Sequence, residues 1–340
     1  MTTLEQPKPA DEARDSVPRS GAVSSCNDLL ESRRVNLFGL SGGKDSTRLV
    51  AWAIHESGYP LESLIFTFCD TENEYEEVYQ QIDALNTYVV KHGCKPIVKL
   101  RAEGDWVAKF WMFPLFLALC VWKGRFPSAK ARFCTQFLKI KPTEAYIKSL
   151  LAQGYTIVSH SGVRAAESIE RSTMEEWAKD MFGCTTRRPL LKLTLADVWD
   201  GHRKYKLPIN PLYLSGWKRV GCRLCVMSNK PDVRRTVKNR PWVIAIYRGW
   251  ETTVGCYRKA RGSITDYSSW FHRKTVPLAQ RSRLVDTKSG KTMKVATIDD
   301  VARWSQTLRG GVQAGFEFMF EEEDFNKDDA HHPCQAGFCE

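Results

Sequence analysis

The chain has 340 residues, 43% hydrophobic and 26% charged, a globular composition that excludes a wholly disordered or collagen-like polymer. No apolar run reaches the roughly 18 residues of a membrane-spanning helix. The longest, Phe110 to Trp122, is short and is followed by Lys123 and Arg125, so a chain without membrane segments is expected. The net charge of +11 is unevenly spread: residues 1–122 carry −5, 123–274 carry +19, 275–316 carry +4 and 317–340 carry −7. A basic block of that size either attracts polyanions, nucleotide phosphates or nucleic acid, or forms a solvated cationic face.

Residues 1–33 read as a flexible polar arm with no apolar core of a leader peptide, which makes a reducing cytoplasm the expected compartment. Val35 to Leu40 is an apolar run ending in Ser41-Gly42-Gly43-Lys44-Asp45-Ser46 and then an apolar periodic stretch, Leu49 to Ile54: strand, glycine-rich turn, helix. Leu64 to Cys69 predicts a second strand ending at Asp70, and Tyr75, Val78, Ile82 and Leu85 carry helical spacing within 72–88. Lys95 to Leu100 and Tyr155 to His160 predict two more strands, with a helix from Pro142 to Leu151 between them. Such alternation predicts an α/β fold, a doubly wound, mostly parallel sheet over residues 34–216 that binds ligands at the carboxyl ends of its strands. Residues 217–316, rich in Cys, Trp and Arg, are expected to form a mostly helical C-terminal portion, and 317–340 an acidic tail.

A Ser-Gly-Gly turn between a strand and a helix lets backbone N–H groups converge on a phosphate, with Lys44 and Ser46 adding a charge and a hydroxyl. Asp45 after Lys44 and the glycine spacing exclude a Walker A loop. Ser41 to Ser46 resembles the PP-loop of the ATP pyrophosphatases. The segments Asp70 to Glu74, Cys134-Thr135 with Leu138 to Pro142, Gly162 to Ser168, Asp197 to Trp199, and Asn210 to Tyr213 followed by Gly221-Cys222 resemble, in order, those of the phosphoadenosine phosphosulfate (PAPS) reductase family within that superfamily. The resemblance implies an adenine nucleotide alpha hydrolase-like fold. It also implies a site in which Ser41, Gly42, Gly43, Lys44, Asp45, Ser46 and Gly162 bind ATP. Asp70 would be a metal or ribose contact and Arg164 a phosphate contact, against the plainer reading of an Arg164–Glu167 ion pair. Mg²⁺ would bridge the phosphates. The intact loop favours cleavage of ATP with transfer of AMP to an acceptor, followed by displacement of that AMP by sulfur, as in the DNA-phosphorothioation-type branch. The sulfur would come from a separate cysteine desulfurase.

Cys222-Arg223-Leu224-Cys225, with Cys134 far upstream, resembles the ligand arrangement of the iron–sulfur members of the family. A 4Fe–4S cluster on Cys134, Cys222, Cys225 and Cys256 is expected, with Zn²⁺ or no metal as alternatives and Cys184 competing with Cys256. Cys69, Cys94 and Cys120 read as buried thiols, Cys26 is open, and Cys334 and Cys339 lie in the acidic tail, where Cys339 is either a persulfide carrier or incidental. Trp217, Trp242, Trp250 and Trp270 interleave with Lys218, Arg219, Arg240, Arg248 and Arg273, as stacking platforms or as core, so residues 123–274 are a candidate nucleic-acid surface. Two alternative functions stand beside the first. One is a thiol-dependent reductase of PAPS or adenylyl sulfate, and the other a non-catalytic nucleotide- or DNA-binding component of a defence complex. The sequence leaves the oligomeric state open.

Overall fold

The computed structural model describes residues 33–180, 182–270, 276–286 and 290–308; the expectations for the arm and for Cys26, Cys334 and Cys339 fall outside them. The described residues from Arg34 onward form one unit. Its frame is a six-stranded sheet in the order β3-β2-β1-β4-β6-β5, built from β1 (Arg34–Leu40), β2 (Leu64–Asp70), β3 (Val98–Arg101), β4 (Thr156–His160), β5 (Trp177–Lys179) and β6 (Thr185–Arg187). All neighbours run parallel except β5 and β6. The expected sheet is therefore present, and central β1 shows why it was readable: Val35, Leu37, Phe38 and Leu40 are all buried, because a parallel strand is covered on both faces.

The two faces carry separate apolar layers. On one, Val35, Leu37, Ile65 and Ile157 pack with Ile147 and Leu150 of the Lys141–Ala152 helix. On the other, Phe38, Leu40, Phe66 and Phe68 join a larger core containing the helices Lys44–His55, Glu76–Lys91 and Leu115–Lys123. The same core takes in Val233, Tyr247, Trp250, Trp270 and Trp304, so the C-terminal helices Lys230–Asn239, Pro241–Ala260 and Ile298–Ser305 close over the sheet. The long apolar run is explained by this burial: Leu119, Cys120 and Val121 are wholly enclosed. No helix among the described residues is long and apolar enough to cross a membrane.

Three differences from the sequence reading have local causes. The third strand begins at Val98, because Pro96 lacks the N–H a ladder needs. Strands β5 and β6 have three residues each, too few to show a period. The C-terminal portion contains, besides its helices, a two-stranded ribbon of Arg283–Asp286 and Thr292–Val295.

One buried carboxylate ties the C-terminal helices together. Glu251 accepts hydrogen bonds from Trp270 N at 2.7 Å, Ile298 N at 3.0 Å and the Tyr267 hydroxyl. Burial pushes its pKa up to about 7, outweighing those donors. The folded state therefore holds a proton that the unfolded chain releases near the ordinary carboxylate pKa of 4.5, so stability falls as pH rises from there to about 7 and levels off above it. Urea midpoints measured between pH 5 and 8 should decline, and Glu251→Gln, which cannot ionise, should flatten that decline.

Candidate active site

The sheet order reverses at β1, which has β2 on one side and β4 on the other. In a doubly wound sheet this reversal opens a crevice at the carboxyl ends of the strands. Here the turn after Leu40 and the segment after His160 meet at that crevice. Gly42 adopts φ +76°, and Gly162 lies so near the start of the Lys44–His55 helix that a Cβ there would sit 3.3 Å from the Asp45 carbonyl. Both positions need glycine for these reasons.

Ser41 Oγ and Ser46 Oγ lie 3.1 Å apart, the Gly43 N–H donates to Ser41 Oγ at 3.3 Å, and Ser46 Oγ donates to Gly43 O at 3.0 Å. Residues far along the chain then clasp the turn. The Tyr213 hydroxyl accepts the Lys44 N–H at 2.9 Å, Asn210 Nδ2 donates to Gly42 O at 3.1 Å, and His202 Nε2 lies 2.8 Å from Lys44 O. Burial holds the His202 pKa below its ordinary value, so the ring is neutral and Nε2–H is the donor.

The charges form a chain beside the turn. Lys44 Nζ pairs with Asp45 Oδ2 at 2.9 Å, and Arg164 Nε donates to Asp45 Oδ1 at 2.5 Å, with side chains 13%, 1% and 6% exposed in that order. Arg164 thus meets Asp45 first. Its ion pair with Glu167 is a looser 3.9 Å contact, and Glu167 pairs more closely with Arg171. Asp70, at the end of β2, accepts from Tyr79 OH at 2.8 Å and Glu72 N at 2.9 Å. Asp45, committed to Lys44 and Arg164, is not disposed to take Mg²⁺ in this conformation, whereas both hydrogen bonds to Asp70 fall on Oδ1.

One cavity joins the turn to the cysteines. Ser41, Ser46 and Gly162 line it, as do Cys134, Cys222 and Cys225. Lys44, Asp45, Asp70 and Arg164 are not among its lining residues. The Cys222–Cys225 turn docks on the loop after β2: Arg223 N donates to Asn73 O at 2.6 Å, and the Tyr247 hydroxyl bridges Asn73 Oδ1 and Arg223 O at 2.9 and 2.6 Å. Leu224 holds a left-handed φ of 41°, a strained conformation for a branched residue, of the kind found at ligand clamps. Cys222 Sγ lies 3.5 Å from Glu74 Oε1. Desolvation pushes the Cys222 thiol well above its ordinary range, with Glu74, Cys225 and Cys134 adding to the shift, so it stays protonated at neutral pH without a metal.

Cys134, Cys222 and Cys225 suit a cluster in kind and line one cavity, whereas the other expected ligand does not. Cys256 is exposed on the Pro241–Ala260 helix and does not line the cavity, and Cys184 is buried in the opposite apolar layer. Zinc and an iron–sulfur cluster alike need their ligands gathered about one centre; no three Cys, His, Asp or Glu side chains among the described residues are so gathered in this conformation. Sequence reasoning did not assign Glu74 and Cys69 to the site, though both face the cavity, and missed the cations Arg132 and Arg171, which line it with Lys139 and Arg219. Tyr213 and Asn210 had a signal in their shared motif; His202 had none.

The family described as the phosphoadenosine phosphosulfate reductase domain matches residues 36–228. An uncharacterized 37.8 kDa protein of Escherichia phage 186 is 28% identical over 320 residues, covering 82% of this chain and 90% of that one. The adenosine 5′-phosphosulfate reductase of Burkholderia cepacia is 25% identical over 162 residues, 46% of this chain and 50% of its own length. Among solved structures, the PAPS reductase of Candida auris in its phosphate complex aligns with a TM-score of 0.39 and 16% identity, over 58% of this chain and 85% of that one. The U34-tRNA thiolase NcsA of Methanococcus maripaludis, solved with its 4Fe–4S cluster, aligns with a TM-score of 0.33 and 16% identity, over 67% and 74%.

Proposed function

The chain belongs to the phosphoadenosine phosphosulfate reductase domain family, and from that premise we propose that it is an ATP pyrophosphatase that adenylates an acceptor for sulfur transfer. The observation that carries this reading is the intact Ser41–Ser46 turn, which shares one cavity with Cys134, Cys222 and Cys225. An acceptor oxygen attacks the α-phosphorus of ATP, the α–β bond breaks, and pyrophosphate leaves with the electron pair. A sulfur nucleophile then displaces AMP from the acceptor. The chain's part is positional and electrostatic: the glycine turn, with Ser41 and Ser46 lining the cavity, seats the leaving pyrophosphate, and Lys44, on leaving Asp45, meets the charge that grows on it. The acceptor is a nucleic acid, in keeping with the +19 block of residues 123–274.

Cys134, Cys222 and Cys225 would hold a 4Fe–4S cluster, which supplies a sulfur-handling centre when bound. Binding there would require Cys134, Cys222 and Cys225 to give up their thiol protons, against the raised Cys222 pKa, and would couple metal to folding. In anaerobically prepared protein, Cys222→Ser should lose most of its iron relative to the parent, read by elemental analysis, whereas Cys256→Ser should keep it.

The decisive experiment supplies labelled ATP and measures pyrophosphate and AMP. Its counterpart supplies PAPS or adenylyl sulfate with thioredoxin and measures sulfite. That second reading, a reductase, is favoured by Arg132, Lys139, Arg171 and Arg219 around the cavity, which suit a small sulfated nucleotide. Sulfite release without pyrophosphate release would replace the first reading with the second.

A further inference from the structure

Three of the four tryptophans that invite a stacking role are not exposed. Trp217, Trp250 and Trp270 are buried, and Trp242, half exposed, carries the Arg223 guanidinium over its ring. The neighbouring arginines are engaged as well: Arg234 donates to Ser305 O at 2.8 Å, Arg240 pairs with Glu77, and Arg248 makes a two-pronged pair with Asp299 at 2.8 and 2.7 Å.

A different surface has the opposite character. Lys123 Nζ lies 4.0 Å from the Trp122 ring centre and 4.3 Å from that of Phe137, and Lys141 Nζ lies 4.3 Å from Phe137 on its own side. Arg125 sits over Phe133 at 5.3 Å, and Lys109 and Arg261 over Phe110 at 5.8 and 5.6 Å. None of these five cations is in an ion pair among the described residues. Two large apolar side chains stand in solvent beside Phe110, Trp111 at 77% exposure and Met112 at 59%. Arg261 ties the surface together by donating to Val121 O and Trp122 O at 3.0 and 2.8 Å. The same stretch that supplies Phe133, Phe137 and Lys141 also supplies Arg132, Cys134 and Lys139 to the cavity.

We propose that this surface, residues 109–141 with Arg261, is a docking face for single-stranded nucleic acid, leading the strand to the cavity at Cys134. The proposal rests on the reading of a nucleic-acid acceptor and gives it a place. Cations held on rings rather than on carboxylates are available to phosphates, and a bare indole offers a flat face to an unstacked base. A duplex would present its phosphates to the cations but has no free base for Trp111.

The test is fluorescence anisotropy with the full chain and a 5′-labelled single-stranded oligonucleotide of thymidines or uridines, over a series of KCl concentrations. Trp111→Ala should weaken binding about fivefold or more at every salt concentration without changing the slope of log affinity against log salt. Lys123→Ala with Lys141→Ala should weaken binding and reduce that slope by about 1.4, as expected for two lost phosphate contacts to a single strand. Lys148→Ala, whose lysine already pairs with Glu144 at 2.7 Å, should bind like the parent. Parent-like binding by both the Trp111 and the double-lysine variants overturns the proposal. So does a poly-glutamate peptide that competes equally and loses equally in Trp111→Ala, because the face would then recognise acidic protein. Pyrophosphate release from ATP by the parent and the same variants, with single-stranded nucleic acid supplied at saturating concentration as the acceptor, separates the two claims. If release persists while binding is parent-like, this face is wrong and the chemistry stands; if the variants lose binding and the parent releases no pyrophosphate, the face stands and the adenylation reading falls.

Discussion

Lys44→Ala is expected to lower pyrophosphate release from ATP by about a hundredfold or more while leaving the melting temperature nearly unchanged. The activity loss follows from removing the charge proposed to meet the leaving pyrophosphate, an effect of that order when such contacts are deleted. The stability result follows from the charge chain: without Lys44, Asp45 still receives the Arg164 guanidinium at 2.5 Å, so no buried carboxylate is stranded. Steady-state release assays with a parallel thermal melt would check both halves. A large fall in melting temperature would mean that Lys44 serves the fold and not the phosphate.

Arg164→Met should give the reverse pattern, a strong loss of stability. Asp45 is wholly buried, and Arg164 is its principal partner. Breaking a buried pair by removing one member costs about 3–5 kcal/mol, because the remaining charge stays without solvent. Lys44 remains 2.9 Å from the other carboxylate oxygen, which places the expected cost at the lower end of that range. A chemical-denaturation midpoint well below that of the parent is the outcome to look for. The double variant Arg164→Met with Asp45→Asn should recover much of the loss, since the stranded charge is then gone; failure to recover would show that Arg164 matters for another contact.

Local patterns carried the sheet and the turn, and distant packing decided the rest. Val35 to Leu40 announced a covered strand because every second position and its neighbour are apolar, and Ser41 to Ser46 announced a turn because only glycines tolerate it. Nothing near residue 44 announces that Tyr213, Asn210 and His202 will hold the turn from roughly 160 positions away. Asp70 sits at the end of its strand as expected, but the direction of its carboxylate is set by Tyr79, one helical turn into the next element. The tryptophans show the same limit: an arginine beside a tryptophan in sequence does not report whether the ring is outside. Trp250 and Trp270 are core, whereas Trp111, which has no arginine neighbour, is 77% exposed.

The sheet ends bear on how copies of this chain can meet. Its edge strands are β3 and β5, four and three residues long. On β3, Lys99 and Arg101 face outward and are paired with Asp83 and Glu72; on β5, Lys179 is exposed. Short, charged edges offer little template for another backbone, so strand addition between molecules, the usual route to amyloid-like stacking, is blunted at both margins. The chain can therefore keep a long apolar β1 at its centre without that strand becoming a seed for aggregation, provided the margins stay folded.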